Sequence, residues 1–401
     1  MSKRILLVIP SLSETGGAEN LALRIGKALA EKKNNIFIAT FDKDPMPRQL
    51  NKTDQVRYFY LGNKLSSINL PIFLKPLNYI YYFIKLSCLI KKLQIDITVS
   101  ILWKADLINS ITFARTKRVS LSVINYKDNP VNLPLVKYKK IIRFLYKRFD
   151  RVLTINNALK EELKELFQIN PSKISSFNNF IEDIPSLSIF DNSKKKKYIF
   201  CGRLSPEKNL INFLYSWVAF VKNNKDCQLV VLGDGPLRKE VELFLKNNNI
   251  SFSNNISDSS VSVIMLGMVK KPEEYISNSH CFILPSIDEG TPTVLLIAMF
   301  LGIPIIASDT RSGGVKDMFI ANEINEENTL IKETEAGMIL PIPDVNIKSS
   351  VSAWTDALNK INNIDKNNWE IYSRGSKKLS VKYTKNAFVN EWESLVQNLF
   401  K

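Results

Sequence analysis

The sequence predicts an α/β chain of two doubly wound, Rossmann-like units of parallel sheet, and three observations predict it. Short runs rich in β-branched residues alternate with segments of helical periodicity. A polar, lysine-rich stretch at 188–197 interrupts that alternation, which then restarts. The 401 residues exceed what one hydrophobic core supports and suit two.

In the first unit, strands are expected at 4–11, 36–41, 56–61, 97–102, 118–125, 151–156 and 173–177. The run after Arg4 is apolar without alternation, as a strand covered by helices on both faces reads. Helical patterns fall between the strands, at 18–32, 79–92, 105–115, 135–149 and 158–167. After the break, strands at 198–201, 228–232, 262–266, 281–284, 303–307 and 337–340 alternate with further helical segments. The units are expected at 1–187 and 188–384, facing across a cleft at the carboxyl ends of both sheets, where open α/β sheets bind ligands.

Hydrophobic residues make up 45% and charged residues 23%, an ordinary globular composition. The formal charge of +16 suits anionic partners such as nucleotides, nucleic acid or acidic lipid headgroups without choosing among them. Cys88, Cys201, Cys227 and Cys281 are too scattered for a zinc spacing or a disulfide framework, so free thiols in a reducing compartment are expected. The first apolar run is too short for a signal peptide. The longest, at 70–90, is broken by Lys75 and Lys85, so the chain is expected not to cross a membrane.

The sharpest segment is Leu284-Pro-Ser-Ile-Asp-Glu-Gly-Thr-Pro-Thr-Val, where a strand ends, a polar turn follows and a helix begins. Thr291 is the expected N-cap and Pro292 the first helical residue, so amides near Thr291 and Thr293 would offer an anion site beside Glu289. Upstream, Cys201-Gly-Arg-Leu-Ser-Pro-Glu-Lys-Asn turns from strand to helix, with Ser205 as N-cap and Arg203 and Lys208 on the turn. Two cations there can neutralise the charge that builds on a departing nucleotide diphosphate, and solvated surface charge is the alternative reading. Gly16 and Gly17 follow the first strand, but their spacing is not the dinucleotide fingerprint. Gly233-Asp-Gly-Pro is a similar turn that reads as structural.

These segments resemble the retaining glycosyltransferase family 4, whose members have the GT-B fold. Gly202-Arg-Leu-Ser-Pro-Glu-Lys-Asn, Gly233-Asp-Gly-Pro, Leu284-Pro-Ser-Ile-Asp-Glu-Gly and Gly302-Ile-Pro-Ile-Ile-Ala-Ser-Asp occur in the family's order and spacing. The resemblance implies that Arg203 and Lys208 clamp the donor diphosphate and that Glu289 holds donor-sugar hydroxyls. It places Gly202, Gly290, Thr291, Pro292 and Thr293 at phosphate and sugar, Met268 and Val269 at the nucleobase, and Gly16 and Gly17 beside the donor phosphates. It also implies that the last helix, about 385–401, packs on the first unit. Retention in this fold is attributed to front-face attack assisted by the donor phosphate, so neither a protein nucleophile nor a metal is expected, and no other cofactor.

Two departures stand out. The family's second glutamate falls where this chain has Ile297, which cannot bond a ribose hydroxyl, and a lost charge-assisted hydrogen bond costs roughly 1 to 3 kcal/mol. The family's N-domain histidine is absent, leaving Asp128 and Asn129 as acceptor-side candidates; the single His280 reads as structural. The segment at 137–151 mixes seven basic residues with one acid and large apolar side chains, which suits either an interfacial helix on anionic lipid or a core helix with a basic outer side. With a membrane site, the acceptor would be a lipid-linked glycan and the protein peripheral on the cytoplasmic face. The competing readings are a catalytically weak nucleotide-sugar-binding or scaffold subunit, motivated by Ile297, and an epimerase, which would need more acid/base residues. Nucleic-acid binding is not expected, since no aromatic and basic module accompanies the charge.

Overall fold

The computed structural model describes residues 2–12, 17–41, 56–62, 75–123, 138–182, 184, 195–319 and 330–401, with backbone alone for 75–77. It divides into two compact units, Met1–Asn179 with Lys385–Lys401, and Phe180–Thr384. The sequence places the division later, at 187/188. Phe180 and Ile181 already lie in the second unit because the Ile181 amide donates to the Tyr383 carbonyl at 3.3 Å and Ile181 bridges to Thr384.

Among the described residues of the first unit the strands are β1 (Arg4–Ile9), β2 (Asn35–Thr40), β3 (Val56–Tyr60), β4 (Ile97–Ile101), β5 (Lys117–Ser122), β6 (Arg151–Thr154) and β7 (Ile174–Ser176). They pair in the order β3-β2-β1-β4-β5-β6-β7, all parallel. The helices are α1 (Gly17–Glu31), α2 (Lys75–Leu93), α3 (Trp103–Ile111), α4 (Lys139–Tyr146), α5 (Asn157–Phe167) and, from the far end of the chain, the last helix, Lys385–Leu399.

Strand alternation sorts β1 and β2 between two helix layers. Gly26 of α1 lies against Leu7, Ile36 and Ile38, while Leu6, Val8, Phe37 and Ala39 form one apolar cluster with α2 and α3. Helices α2, α3, α4 and α5 pack as consecutive neighbours, so they form a continuous layer on that second face. The last helix packs with α1 instead and buries Phe388, Val389, Trp392, Leu395 and Leu399. The Phe388 ring meets Phe177 edge-on at 5.1 Å. Burying aromatic side chains of that size contributes about 2 kcal/mol each, which holds a distant segment to this unit.

One carboxyl lies deep in the unit. Asp106, in the first turn of α3, is fully buried and accepts from Ser100 Oγ of β4 at 2.6 Å, Ser120 Oγ of β5 at 2.9 Å and Tyr146 Oη of α4 at 3.1 Å. Loss of solvation outweighs these hydrogen bonds and raises its pKa from 3.8 to about 7.

The second unit contains β8 (Lys196–Cys201), β9 (Cys227–Leu232), β10 (Phe252–Ser253), β11 (Val263–Gly267), β12 (Cys281–Leu284), β13 (Ile305–Ser308), β14 (Lys332–Thr334) and β15 (Gly337–Leu340). Their order is β10-β11-β9-β8-β12-β13-β15-β14, parallel except for the β14–β15 hairpin. The short edge strands β10 and β14 carry too few residues for a periodic signal, and the sequence reading omits both. Helices α6 (Leu210–Val221), α7 (Arg238–Asn247), α8 (Pro272–Ile276), α9 (Thr293–Leu301), α10 (Gly314–Phe319), α11 (Lys348–Asn363) and α12 (Lys366–Ser380) surround the sheet. The last helix of the chain, Lys385–Leu399, is α13.

Trp217 of α6 and Trp354 of α11 are fully buried in one apolar cluster with β8 and β9. His280 is structural. Its Nε2 lies 2.9 Å from the Ile361 carbonyl, its ring packs edge-on against Tyr198, and burial lowers its pKa. The four cysteines are free thiols.

Candidate functional site

In the second unit, β8 and β12 are parallel neighbours, with Phe200 opposite Ile283. From this pair the strand order runs in opposite directions, β9, β11 and β10 to one side and β13, β15 and β14 to the other. Such a reversal opens a crevice at the carboxyl ends of the two strands, because their following segments diverge. Both of the sharpest sequence motifs begin there.

After β8 the chain passes Gly202 and exposed Arg203 into a single 3₁₀ turn, Pro206–Lys208. Ser205 is the N-cap residue of that turn, with Pro206 behind it as the sequence reading has it, but it makes no side-chain cap bond, and its Oγ donates to Glu207 Oε1 at 2.6 Å. Helix α6 begins only at Leu210, after Asn209 turns the chain with a φ of 57°. The extra turn carries Lys208 back toward β12.

After β12, Ser286 to Thr291 form a loop and α9 begins at Thr293. The expected cap at Thr291 moves by one residue. Pro292 is the N-cap, extended at a ψ of 120°, and its carbonyl accepts from the amides of Leu295 and Leu296. The Thr293 and Val294 amides donate to no described residue, as first-turn amides do unless a side chain or ligand meets them.

Lys208 Nζ donates to Glu289 Oε1 at 2.5 Å across a sequence separation of 81 residues. Ser286 Oγ donates to the same oxygen at 2.9 Å. The Glu289 side chain is 10% exposed and Lys208 24%, so the pair is shielded from most solvent screening. Glu289 Oε2 has no partner among the described residues, and Arg203 makes no ion pair or hydrogen bond among them. Together these groups provide an acceptor for hydroxyls, two cations and first-turn amides on the segments that follow two neighbouring strands.

The loop is fixed from behind by Ser308, which lies in the last quoted motif, and by Ser312 and Gly314, which the sequence reading did not single out. Ser312 Oγ accepts from the Glu289 amide at 3.2 Å and donates to its carbonyl at 2.5 Å, while the Ser312 amide donates to Asp288 Oδ1 at 3.1 Å. Ser308 Oγ donates to the carbonyls of Leu284 and Ser286. A Cβ on Gly314 would stand 1.6 Å from the Gly290 carbonyl oxygen, so only glycine permits this approach. The Ile287 amide donates to the Glu207 carbonyl at 2.8 Å, tying the two loops together. The signal was the polar, glycine-ended run Ser308 to Gly314, which carries no period to read.

Glycines also line the neighbouring strand ends. A Cβ on Gly233, whose φ is 130°, would stand 1.9 Å from the Gly202 carbonyl oxygen, and the Gly233 amide donates to the Gly267 carbonyl at 2.7 Å. Past Gly267, Met268 is 75% exposed, while Val269 is half-buried on the same apolar cluster as Ile297 of α9. Gly17 is exposed at the start of α1 in the first unit. Gly16, Asp128 and Asn129 lie outside the described residues. No group of three potential metal ligands occurs among the described residues.

Comparison with known proteins bears on this arrangement directly. Residues 15–183 match the family model described as Glycosyltransferase Family 4, and residues 188–340 match that of Glycosyl transferases group 1. An Escherichia coli UDP-Gal:alpha-D-GlcNAc-diphosphoundecaprenol alpha-1,3-galactosyltransferase is 26% identical over 357 residues, 84% of each chain. A Campylobacter jejuni N-acetylgalactosamine-N,N'-diacetylbacillosaminyl-diphospho-undecaprenol 4-alpha-N-acetylgalactosaminyltransferase is 26% identical over 52% of this chain and 56% of its own. An uncharacterized Methanocaldococcus jannaschii glycosyltransferase is likewise matched over 45% of its length. The chain therefore spans about half the length of these last two relatives.

Among solved structures, the lipopolysaccharide outer core galactosyltransferase WaaB has a TM-score of 0.71 at 17% identity, covering 98% of this chain and 99% of that one. Anabaena HepE in complex with UDP has a TM-score of 0.74 at 15% identity, covering 98% and 100%. The fold is thus GT-B, with two Rossmann-like α/β domains. Fold and family matches together support a glycosyltransferase of the family-4 type.

Proposed function

We propose that this protein transfers a sugar from a nucleoside diphosphate donor, a UDP- or GDP-sugar, to a lipid-linked glycan acceptor with retention of anomeric configuration and without a metal ion. The single observation that carries the reading is the Lys208–Glu289 pair beside the open first turn of α9, at the strand ends where the sheet order reverses. The relatives named for diphospho-undecaprenol acceptors support the choice of acceptor, and through it a place at a membrane surface in polysaccharide or lipopolysaccharide synthesis.

Charge is the central demand of the reaction, since a diphosphate leaves as an anion. Lys208, Arg203 and the amides of Thr293 and Val294 stabilise that anion as it forms. Gly290, Thr291 and Pro292 shape the floor beneath phosphate and sugar, and Glu289 Oε2 accepts from sugar hydroxyls. Close glycine packing at Gly202 lets the nucleotide approach the backbone, with Met268 and Val269 at the base. Gly16 and Gly17 for the donor phosphates, and Asp128 and Asn129 for the acceptor, are carried by the family resemblance alone.

Ile297 favours a second reading. A half-buried isoleucine on the apolar cluster offers the ribose no hydrogen bond, as a nucleotide-sugar-binding subunit without turnover would tolerate. One experiment separates the two: incubation with a panel of UDP- and GDP-sugars, with chelator present and a lipid extract as acceptor source. Nucleotide release from one donor, lost in Glu289→Ala, supports the transferase. Nucleotide binding with no release from any donor supports the subunit.

A further inference from the structure

We infer that the α2–α3–α4 face of the first unit is a docking surface for an anionic phospholipid bilayer, with α4 lying in its headgroup region. The inference rests on the reading of a membrane-linked acceptor only for its biological sense. Its physical basis is separate.

Helix α4 is apolar on two sides. Ile142 and Tyr146 turn inward, where Tyr146 meets Asp106 and stacks on Phe167, while Tyr138, Ile141 and Phe144 stand 58%, 58% and 60% exposed. Residues three apart recur on one side of a helix, so the exposed trio forms a single stripe along α4 and its N-cap. A solvent-facing stripe of that kind is not needed for folding. The inner side already supplies the packing.

The same layer holds most of the unit's other exposed apolar residues among those described, the exceptions being Tyr60 of β3 and Phe400 past α13, each 44% exposed. Ile80 and Ile84 of α2 are 54% and 48% exposed, and Phe113, just past α3, is 54% exposed. Phe113 packs edge-on against Phe83 of α2, which joins the α2 and α3 contributions into one surface. On the opposite layer, α1 and α13 themselves contribute none of the large exposed hydrophobics among the described residues, and Phe400, just past α13, lies under the Lys3 ammonium at 3.8 Å. Apolar exposure concentrated on one layer marks an interaction site rather than scatter.

Charge selects the occupant. Lys139, Lys140, Arg143 and Lys147 flank the stripe, α4 itself contains no acidic residue, and Lys85, Lys91 and Lys92 border the α2 part, all of them exposed. Bulky apolar side chains between cations match the boundary of an acidic bilayer, where each cation near the surface gains about 1 kcal/mol and the rings sit at headgroup depth. No helix among the described residues is long and apolar enough to cross a membrane, so contact would be made from one side.

The test is flotation of the full chain with vesicles of phosphatidylglycerol and phosphatidylethanolamine, and with phosphatidylcholine alone. The expected result is flotation with the anionic vesicles, weakened by salt, and little with phosphatidylcholine. Ile141→Ser combined with Phe144→Ser lowers partitioning by about tenfold or more, and Lys140→Glu combined with Arg143→Glu lowers it similarly. These side chains are exposed, and an unchanged melting curve for each variant confirms folding. Donor turnover is measured on the same samples. Flotation lost while turnover persists supports the docking face. Native protein that does not float with anionic vesicles overturns it, whatever the turnover, as does equal flotation of the serine variant. Self-association through this face, relieved by the serine substitutions in the absence of vesicle binding, would also overturn it. Loss of turnover alone bears only on the catalytic reading.

Discussion

Replacing Lys208 by methionine keeps the aliphatic stem and removes the charge. In the structure Nζ is 2.5 Å from Glu289 Oε1, in a pair whose side chains are 24% and 10% exposed, so little solvent can substitute for it. If this cation stabilises the departing diphosphate, its removal costs what loss of one preorganised electrostatic donor costs, about 10²- to 10³-fold in kcat, or roughly 3 to 4 kcal/mol. The carboxylate it leaves behind keeps the Ser286 hydrogen bond, so folding stability falls by a smaller amount, about 1 to 2 kcal/mol. Initial rates of nucleotide release give the first quantity and urea unfolding gives the second. Adding Glu289→Gln to Lys208→Met removes the uncompensated charge, so the double variant regains stability without regaining turnover. Native turnover in Lys208→Met, to within about twofold, would refute the reasoning and leave the pair as a purely structural ion pair.

Three further outcomes follow from the same geometry. Gly314→Ala places a methyl group 1.6 Å from the Gly290 carbonyl oxygen, so it displaces the Glu289 loop, lowering stability by about 1 to 3 kcal/mol and turnover further still, as thermal unfolding and donor assays will show. Asp106 has a folded-state pKa of about 7 against 3.8 when free, so its contribution is fully present below pH 4 and is lost as pH rises toward 7, by on the order of 4 kcal/mol. Asp106→Asn removes that slope, and the stability difference between native and variant, measured by urea unfolding across this range, changes in that direction. Ile297→Glu supplies a carboxylate on α9 and is expected to tighten UDP binding about fivefold or more in calorimetry, while lowering stability because it enters an apolar cluster.

Much of this protein is legible in its residues. The apolar runs of β1, β4, β8, β9, β12 and β13 are buried along nearly their whole length, and a run without alternation already signals a strand covered on both faces. Errors gathered where local and tertiary effects compete. Thr291 satisfies the composition of a cap, yet Pro292 occupies it. Ser205 likewise precedes a proline, yet its hydroxyl is taken by Glu207 and a 3₁₀ turn intervenes. The amphipathic pattern of α4 left a core helix and an interfacial helix equally open, since periodicity shows that two sides differ without showing what covers either.

The sequence by itself determined the alternation of strands and helices, the presence of two units and the motif order at the strand ends, whereas the division it placed at 187/188 falls at Asn179/Phe180. These depend on local period and turn chemistry. Which strand ends become neighbours was decided only by the tertiary structure. Inserting β12 between β8 and β13 brings Lys208 to Glu289 across 81 residues and sets Ser312 and Gly314 behind the loop. Three hydroxyls converge on Asp106 in the same way, from β4, β5 and α4. Such contacts depend on sheet order and on the close packing of side chains distant in sequence, which no local pattern encodes.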